Sequence, residues 1–494
     1  MHNATSPILP TPILQQGDHV LVVGLGKSGY AAVRFLLAQG MRVSVSEGGR
    51  APQLDAEKIQ WLQEKGVYCE IGGHSSELFS KVNAILLSPG VPLTLPALAA
   101  ARAKGIPVFG ELALAQDFLK APVVAITGTN GKSTVTTLVG DLLAAAGKKV
   151  FVGGNLGTPL CEYLAGPQEA EWVVLEVSSF QLDTAGNFRP RVAILLNITP
   201  DHLDRYPSYG AYAASKWSIF RHQQSEDTAI LDGDDPEIAR LLAEAATDPA
   251  SPFAIRSRRA IVGERTVGIG ASLNGTVAAI REVVPGAAVE EYELAGTPLA
   301  MAPNSHNAMT AIIAARCCGC SPKAVQRGLA AFKPLPHRLA LVAEVAGVGY
   351  YDDSKATNIG AVVSALEGMR QPVVLIAGGL DKGGDYRIMR DIVQQKVKAM
   401  VLIGSARQLM AAAFEDLIPI VFAESMAEAV DKARDLARQG DVVLLSPACA
   451  SFDMFENYGH RGEVFREAVQ ALRSTPRQVR GGGSPCPIVE ALVA

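Results

Sequence analysis

Along most of this chain the apolar residues come in short unbroken runs, with little of the one-in-two alternation that marks a half-wet strand. The runs His19–Val23, Val123–Thr127, Trp172–Val177, Val192–Asn197, Val373–Ala377, Met400–Ile403 and Val442–Ser446 are each of strand length. A strand that is apolar at both parities has both faces covered, as in a parallel sheet flanked by helices. Between these runs lie Tyr30–Gln39, Thr134–Ala146 and Ser425–Arg438, whose apolar residues recur at helical spacing. The alternation of the two patterns predicts α/β domains with mostly parallel sheets and helices on both sides.

Two breaks divide the pattern. One falls near Gln116–Ala121, before a new strand and glycine-loop unit. The other falls near Phe332–Pro336, where Pro334 and Pro336 interrupt a helix-rich stretch. The expected organisation is three domains, residues 1–115, 116–334 and 335–494. Residues Arg256 to Pro298 are richer in Val, Gly and Thr and are expected to form a small β excursion. The tail carries Gly481, Gly482, Gly483, Pro485 and Pro487 and is expected to be disordered from about residue 475. No fixed-period repeat stands out.

A chain of 494 residues agrees with three domains at roughly 100–200 residues each. With 48% hydrophobic and 19% charged residues, each can bury a core. The net charge of −4 gives no general electrostatic reason for a nucleic-acid partner, so any anionic ligand must be held locally. Met1–Gly17 lacks the basic and apolar segments of a secretory signal. No uncharged apolar run reaches the roughly 18 residues of a membrane span. The 7 cysteines, scattered from Cys69 to Cys486, fit a reducing cytoplasm better than a disulfide framework. Cys317, Cys318 and Cys320 lack a second pair at zinc spacing and read as buried helix.

The candidate chemistry begins at Gly24-Leu-Gly26-Lys27-Ser28-Gly29, which follows a strand and opens a helix. The next strand ends at Ser46-Glu47, about 20 residues on, as a dinucleotide fingerprint requires. Glycines there let the backbone approach a diphosphate at the helix N-terminus. A tight turn without ligand is the alternative. A second loop, Thr127-Gly128-Thr129-Asn130-Gly131-Lys132-Ser133-Thr134, also joins a strand to a helix. It departs from a full P-loop only in having Ile126 at the first glycine position. Its N–H groups are suited to ATP phosphates, Lys132 to the β- and γ-phosphates and Ser133 to Mg²⁺. A dehydrogenase has no use for the second loop and a simple ATPase none for the first. The pair implies a nucleotide-bearing substrate together with ATP.

Further polar residues stand where strands are expected to end. Glu176 closes one run and precedes Val-Ser-Ser-Phe-Gln, and Asp201-His202-Leu203-Asp204 follows another. Ligands of open α/β sheets gather beyond the carboxyl ends of strands, so a carboxylate and a histidine there could hold metal near phosphates. Singly, each could equally be a helix cap or a solvated loop residue.

Taken together, Thr-Gly-Thr-Asn-Gly-Lys-Ser, Glu-Val-Ser-Ser-Phe-Gln-Leu and Asp-His-Leu-Asp-Arg-Tyr resemble the central domain of the Mur ligases, and the resemblance runs over nearly the whole chain. Asp352-Asp353-Ser-Lys355-Ala-Thr357-Asn358 and Leu-Ser446-Pro-Ala-Cys-Ala-Ser451-Phe-Asp most resemble the member of that family that adds D-glutamate. The resemblance implies a Rossmann-like N-terminal domain for a UDP-substrate, a central P-loop ATPase-like domain and a doubly wound C-terminal domain. It implies a cytoplasmic monomer of peptidoglycan synthesis that joins D-glutamate to UDP-N-acetylmuramoyl-L-alanine through an acyl phosphate, consuming ATP. Gly24, Gly26, Lys27, Ser28, Gly29, Ser46, Glu47 and Gly90 match residues around UDP, and Asn155 one at the sugar-peptide end of the substrate, where His202 is also placed. Gly128 to Thr134 match the ATP loop. Ser133 and Glu176 match ligands of one Mg²⁺ and His202 of a second, with Lys216 matching a lysine that works as a CO₂-derived carbamate. Asn307, Arg338, Asp353 and Lys355 match residues around ATP, and Thr357, Lys382, Ser451 and Tyr458 those around D-glutamate. The catalytic set is then Lys132, His202 and Lys216. Two departures stand out. Thr310 replaces a second asparagine expected near the adenine, and Tyr458 replaces the usual phenylalanine.

Three other readings compete: a relative adding alanine or diaminopimelate, a nicotinamide-dependent oxidoreductase based on Gly24–Gly29, and a non-catalytic nucleotide-binding regulator. The oxidoreductase leaves Lys132 without a purpose, and the regulator leaves Glu176, His202 and the C-terminal motifs unexplained.

Overall fold

A computed structural model describes residues 14–474 except 51–53, 204, 249, 264–267, 284–285 and 287. Asp204, residues 1–13 and the tail from 475 therefore lie outside the described residues. The chain divides into two compact units, Met1–Lys333 and Pro334–Ala494.

The first unit contains two sheets. The N-terminal one has strands β1 (His19–Val23), β2 (Arg42–Glu47), β3 (Tyr68–Ile71), β4 (Ala84–Leu87) and β5 (Val108–Phe109). All are parallel, in the order β3-β2-β1-β4-β5. The unbroken apolar character of β1 has a direct cause. Val20 and Val22 point into one core with Val33, Phe35 and Leu36 of the helix Lys27–Ala38. Leu21 and Val23 point into another with Phe79, Leu98 and Ala101. Val20, Leu21, Val22 and Val23 all leave water, as expected of a centrally placed parallel strand.

The second sheet comprises β6 (Val123–Thr127), β7 (Val150–Gly154), β8 (Trp172–Glu176), β9 (Val192–Leu195), β10 (Thr228–Asp232), β11 (Arg258–Val262), β12 (Gly270–Asn274), β13 (Val277–Arg281) and β14 (Glu290–Glu293). Its order is β14-β13-β12-β11-β10-β9-β6-β8-β7. It is parallel through β12 and ends in two antiparallel pairings. The β excursion expected between Arg256 and Pro298 is thus an edge extension of this sheet. Gly275, at φ +62°, turns the β12–β13 hairpin. The helix Glu111–Gln116, just before the first expected break, packs against the helix Leu160–Leu164, and one apolar cluster is shared by the layers of both sheets.

The second unit has β15 (Ala340–Val345), β16 (Val348–Asp352), β17 (Val373–Gly378), β18 (Val397–Ile403), β19 (Ile420–Phe422) and β20 (Val442–Leu445). The order is β15-β16-β20-β17-β18-β19, with only β15 antiparallel. Leu375 and Ala377 face one core and Val374 and Ile376 the other, so this sheet too is covered on both sides.

Element ends shift by a few residues from the expected ones. The run expected as Val192–Asn197 stops pairing at Leu195 because Leu196 and Asn197 turn to the glycine loop. Leu196 N donates to Thr127 O at 3.0 Å and Thr129 N to Asn197 O at 3.0 Å. The helices expected from Tyr30 and Thr134 begin earlier, at Lys27 and Lys132, directly after their glycines. The helix expected over Ser425–Arg438 spans Met426–Leu436, with Ser425 capping it through Glu428 N.

Candidate functional site

Strands β9, β6 and β8 are neighbours in their sheet, and a polar cluster gathers at their carboxyl ends. The loop after β6 reaches the helix Lys132–Ala145 through Gly128 at φ +151° and Gly131 at φ +83°. A Cβ at Gly131 would sit 2.7 Å from Asn307 Oδ1, so the loop and the helix Asn304–Cys317 close on one another there. Lys132 Nζ folds back onto the loop, donating to Gly128 O at 2.9 Å and Thr129 O at 2.8 Å.

Ser133 Oγ donates to Glu176 Oε2 at 2.5 Å, and Asn155 Nδ2 donates to Glu176 Oε1 at 2.7 Å. Glu176, at the end of β8 and buried, thus ties the glycine loop to the Gly-Gly-Asn turn after β7. Lys216, on the helix Tyr209–Trp217, is 2% exposed. Its Nζ donates to Gly128 O at 2.7 Å and lies 4.6 Å from the Tyr212 ring centroid. Burial, then the charge of Lys132, hold its ammonium well below the usual lysine range, against the pull of Asp201, Asp183 and Glu176. His202, at φ +55°, stands beside Asp201, with its Nε2 3.6 Å from Asp201 Oδ2, and packs edge-on against Phe180. Lys132, Ser133, Glu176, Asn155 and Lys216 are therefore linked directly or through Gly128, and His202 stands on the segment carrying Asp201.

Sequence reasoning missed two residues of this cluster. Asn197 follows β9 as Glu176 ends β8, and its side chain bridges the loop, accepting from Asn130 N at 2.8 Å and donating to Asn130 O at 3.1 Å. Asp183 accepts from Ser215 Oγ at 2.5 Å and Tyr206 OH at 2.8 Å, and burial raises its carboxyl. Asn307 and Thr310 both lie on the helix Asn304–Cys317, and Thr310 Oγ1 donates to His306 O of its own helix at 3.0 Å.

In the N-terminal sheet the first glycine loop follows β1. A Cβ at Gly29 would lie 1.9 Å from Gly24 O, whereas one at Gly26 would meet nothing within 4 Å. Gly29 serves close packing, then, and Gly26 leaves an open approach to the helix start. No side chain caps that helix at Gly26. Glu47 accepts from Leu25 N at 2.6 Å and Gly49 N at 2.7 Å, so it clasps the loop to β2. Ser46 Oγ lies 2.8 Å from His74 Nδ1. Lys27 Nζ bonds Gly157 O. Gly90 belongs to the loop after β4, and Ser28 to the first turn of the helix Lys27–Ala38.

In the second unit the loops after β16, β17 and β20 are bonded together. Ala448 N donates to Ala356 O, Gly378 N to Pro447 O, and Leu380 and Ala450 exchange backbone bonds of 2.9 and 3.1 Å. This brings the segments of Thr357, Lys382 and Ser451 to one edge. Lys355 Nζ sits 3.8 Å from the Tyr458 ring centroid. Asp353, half-buried, accepts from Ser446 Oγ at 2.9 Å and Leu339 N at 3.2 Å. Burial pushes its carboxyl up to about 7, opposed by Ser446, the Arg338 charge and Leu339 N–H. Sequence reasoning missed Arg461 here. It is 0% exposed and donates to Ser354 Oγ, Ser354 O, Cys449 O and Ala450 O at 2.8–3.3 Å. An arginine on a helix ordinarily reads as solvated, and nothing in the spacing sets this one apart.

Two glycine loops, strand-end carboxylates and a third doubly wound domain define a nucleotide-dependent ligase architecture, and comparison with known proteins agrees. Residues 18–110 match the Mur ligase MurD-like N-terminal domain, 126–315 the Mur ligase middle domain and 337–449 the Mur ligase glutamate ligase domain. The chain belongs to the Mur ligase family. It is 42% identical to the UDP-N-acetylmuramoylalanine–D-glutamate ligase of Desulfosudis oleivorans over 94% of this chain and 98% of that protein. It is 45% identical to the ligase of the same name from Desulfotalea psychrophila, over 94% and 98%. Among solved structures it shares its fold with a pseudomurein peptide ligase type C from Methanothermus fervidus (TM-score 0.58, 17% identity, covering 92% of this chain and 100% of that one). It also shares it with the MurF ligase from Thermotoga maritima in complex with ADP (TM-score 0.55, 16% identity, 94% and 97%). Among the described residues no helix is long and apolar enough to cross a membrane.

Proposed function

We propose that this chain joins D-glutamate to UDP-N-acetylmuramoyl-L-alanine at the expense of ATP, as a cytoplasmic, monomeric enzyme of peptidoglycan synthesis serving cell-wall growth and cell division. The observation that carries the reading is the convergence of Lys132, Ser133, Glu176 and Lys216 around the Gly128–Ser133 loop. Residues 1–115 hold the UDP-substrate through Gly24–Gly29, Ser46, Glu47 and Gly90, with Asn155 and His202 at its reacting end. Residues 116–334 hold ATP through Gly128–Thr134 and Asn307. Residues 335–494 supply Arg338, Asp353 and Lys355 for ATP and Thr357, Lys382, Ser451 and Tyr458 for D-glutamate.

The donor set suits Mg²⁺: a hydroxyl and a carboxylate already 2.5 Å apart at Ser133 and Glu176, an imidazole at His202, and Lys216. Mg²⁺ would neutralise charge on the transferring phosphoryl group. Lys216 joins the set as a carbamate. A lysine held below its ordinary range offers the neutral amine that CO₂ requires, and the remaining N–H of the product can still donate to Gly128 O.

In the first step an oxygen of the L-alanine carboxylate attacks the γ-phosphorus, the bond to the β-phosphate oxygen breaks and ADP leaves. Lys132 and the loop N–H groups stabilise the phosphates. In the second step the unprotonated amine of D-glutamate attacks the acyl carbon, and phosphate departs with the acyl C–O electron pair, taking up the proton that the nitrogen gives up. Lys382 and the hydroxyls of Thr357 and Ser451 orient the two glutamate carboxylates. ADP release with UDP-N-acetylmuramoyl-L-alanine, assayed with a panel of amino acids, tests the proposal. Turnover confined to D-glutamate is expected. Preference for alanine or diaminopimelate would refute it.

A further inference from the structure

Arg205 belongs to the segment after β9, yet its guanidinium is directed at the N-terminal sheet. Nη2 donates to Pro89 O at 2.8 Å and Val91 O at 2.7 Å, and Nη1 to Gly90 O at 3.1 Å. Three consecutive carbonyls of the loop after β4 are thus gripped by one side chain. The same loop begins at Ser88, whose hydroxyl donates to Gly24 O of the first glycine loop at 2.9 Å.

On its other side the guanidinium carbon lies 4.0 Å from the Phe180 ring centroid. The His202 ring packs edge-on against that same ring, 4.9 Å between centroids. The backbone joins the two residues as well, since Arg205 N and Tyr206 N donate to His202 O at 2.9 and 3.2 Å. His202 holds a left-handed φ of +55°, which a residue with a Cβ keeps only when its surroundings enforce it. Arg205 and His202 therefore share one tight turn and one aromatic platform.

We propose that Arg205 is a positioning residue that couples the Ser88–Val91 loop to the His202 turn, so that filling the UDP-substrate site and aligning His202 for the phosphates favour one another. The inference rests on the assignment of the UDP-substrate to the glycine loops and of His202 to the reacting phosphates. Its physical basis is the planar fork of arginine, whose N–H groups diverge to several carbonyls at once while its face stacks on an aromatic ring. The compact ammonium of lysine cannot do both. Movement of the three carbonyls against a ligand is transmitted to the turn through a rigid group. Coupling of this kind is reciprocal, so each ligand tightens the other by the same factor.

Calorimetric titration of the full chain with UDP-N-acetylmuramoyl-L-alanine, with and without Mg²⁺ and a non-hydrolysable ATP analogue, tests this. In the unsubstituted protein the analogue is expected to tighten the UDP-substrate by roughly tenfold. In Arg205→Ala and Arg205→Lys each ligand alone should bind within about threefold of normal, while the mutual factor falls to near one. A merely structural arginine would lower both separate affinities and the melting temperature together. If Arg205→Ala does not fold, Arg205→Lys and Phe180→Leu, which removes the shared platform, carry the test. Undiminished coupling in the folded variants, or no coupling in the unsubstituted protein, overturns the inference. Failure of the unsubstituted protein to bind the UDP-substrate at all would instead overturn the assignment beneath it.

Discussion

Lys132 and Lys216 reach the same acceptor: their ammonium nitrogens lie 2.9 and 2.7 Å from the carbonyl oxygen of Gly128. Two full positive charges at one carbonyl repel, and Lys216, 2% exposed, is the one that burial disfavours most. Its pKa in the folded protein lies below the ordinary 10.5 it regains on unfolding. Between those two values the unfolded chain binds the extra proton, so stability should increase as pH rises through that window. Below the folded value the cost of burying the charge is felt in full. Melting temperatures across pH in CO₂-depleted buffer should show a positive slope that Lys216→Met flattens. An unchanged slope would mean that Lys216 is not held neutral.

The proposed carbamate makes a separate demand. Lys216→Arg keeps a cation but cannot take up CO₂, and should lose nearly all turnover while still binding the UDP-substrate. Lys216→Ala should regain part of its rate with millimolar acetate or formate. Normal turnover in Lys216→Arg would show that the residue acts as a simple cation.

Glu176 accepts from Ser133 through one oxygen and from Asn155 through the other, each keeping a lone pair for a metal. Glu176→Gln turns one acceptor into a donor and removes a charge. The expected result is a fall in kcat of about a hundredfold or more, as for loss of one transition-state electrostatic contact, with a higher Mg²⁺ requirement. Steady-state kinetics under Mg²⁺ titration would expose the idea as wrong if the midpoint did not move.

The first glycine loop separates packing from recognition. Gly29→Ala would place a methyl 1.9 Å from the Gly24 carbonyl oxygen and should lower the melting temperature markedly. Gly26→Ala meets nothing within 4 Å and should fold normally, any loss appearing in UDP-substrate affinity. Equal melting temperatures for the two variants would contradict this division.

Asp353 titrates at about 7 against an ordinary 3.8. Across that interval the folded state holds a proton that the unfolded chain has released, so the carboxyl lowers stability as pH rises from about 4 to about 7. Asp353→Asn should therefore melt higher than the unsubstituted protein at pH 8, by about 2–4 °C. The difference should shrink at pH 5 even though turnover is lost. Circular dichroism melts at both values decide it.

The doubly wound layers were legible because residues at both parities of β1 and β17 leave water, which writes them into the sequence as unbroken apolar runs. The loops bearing Lys132 and Glu176 were legible because glycine and acid stand where strands stop. What escaped was set by tertiary contact alone. Asn197 was absorbed into a strand because nothing local records that its amide turns to Asn130. Arg461 and Arg205 escaped because carbonyls they grip, of Ser354 and Pro89, are remote in sequence.

Thr310 carries a consequence for the choice of phosphoryl donor. With its hydroxyl turned back to His306 O and only 5% of its surface exposed, it offers no amide edge to a purine. On the proposal that this helix faces the adenine, a base is discriminated by fewer directional contacts, and it is lost contacts of that kind that make a polar site reject a near-analogue strongly. This ligase should accept guanosine and inosine triphosphates more readily than a relative with asparagine at that place, and Thr310→Asn should narrow its diet to adenine. The cell's mixture of triphosphates, rather than ATP alone, would then set the rate at which this step of wall synthesis can run.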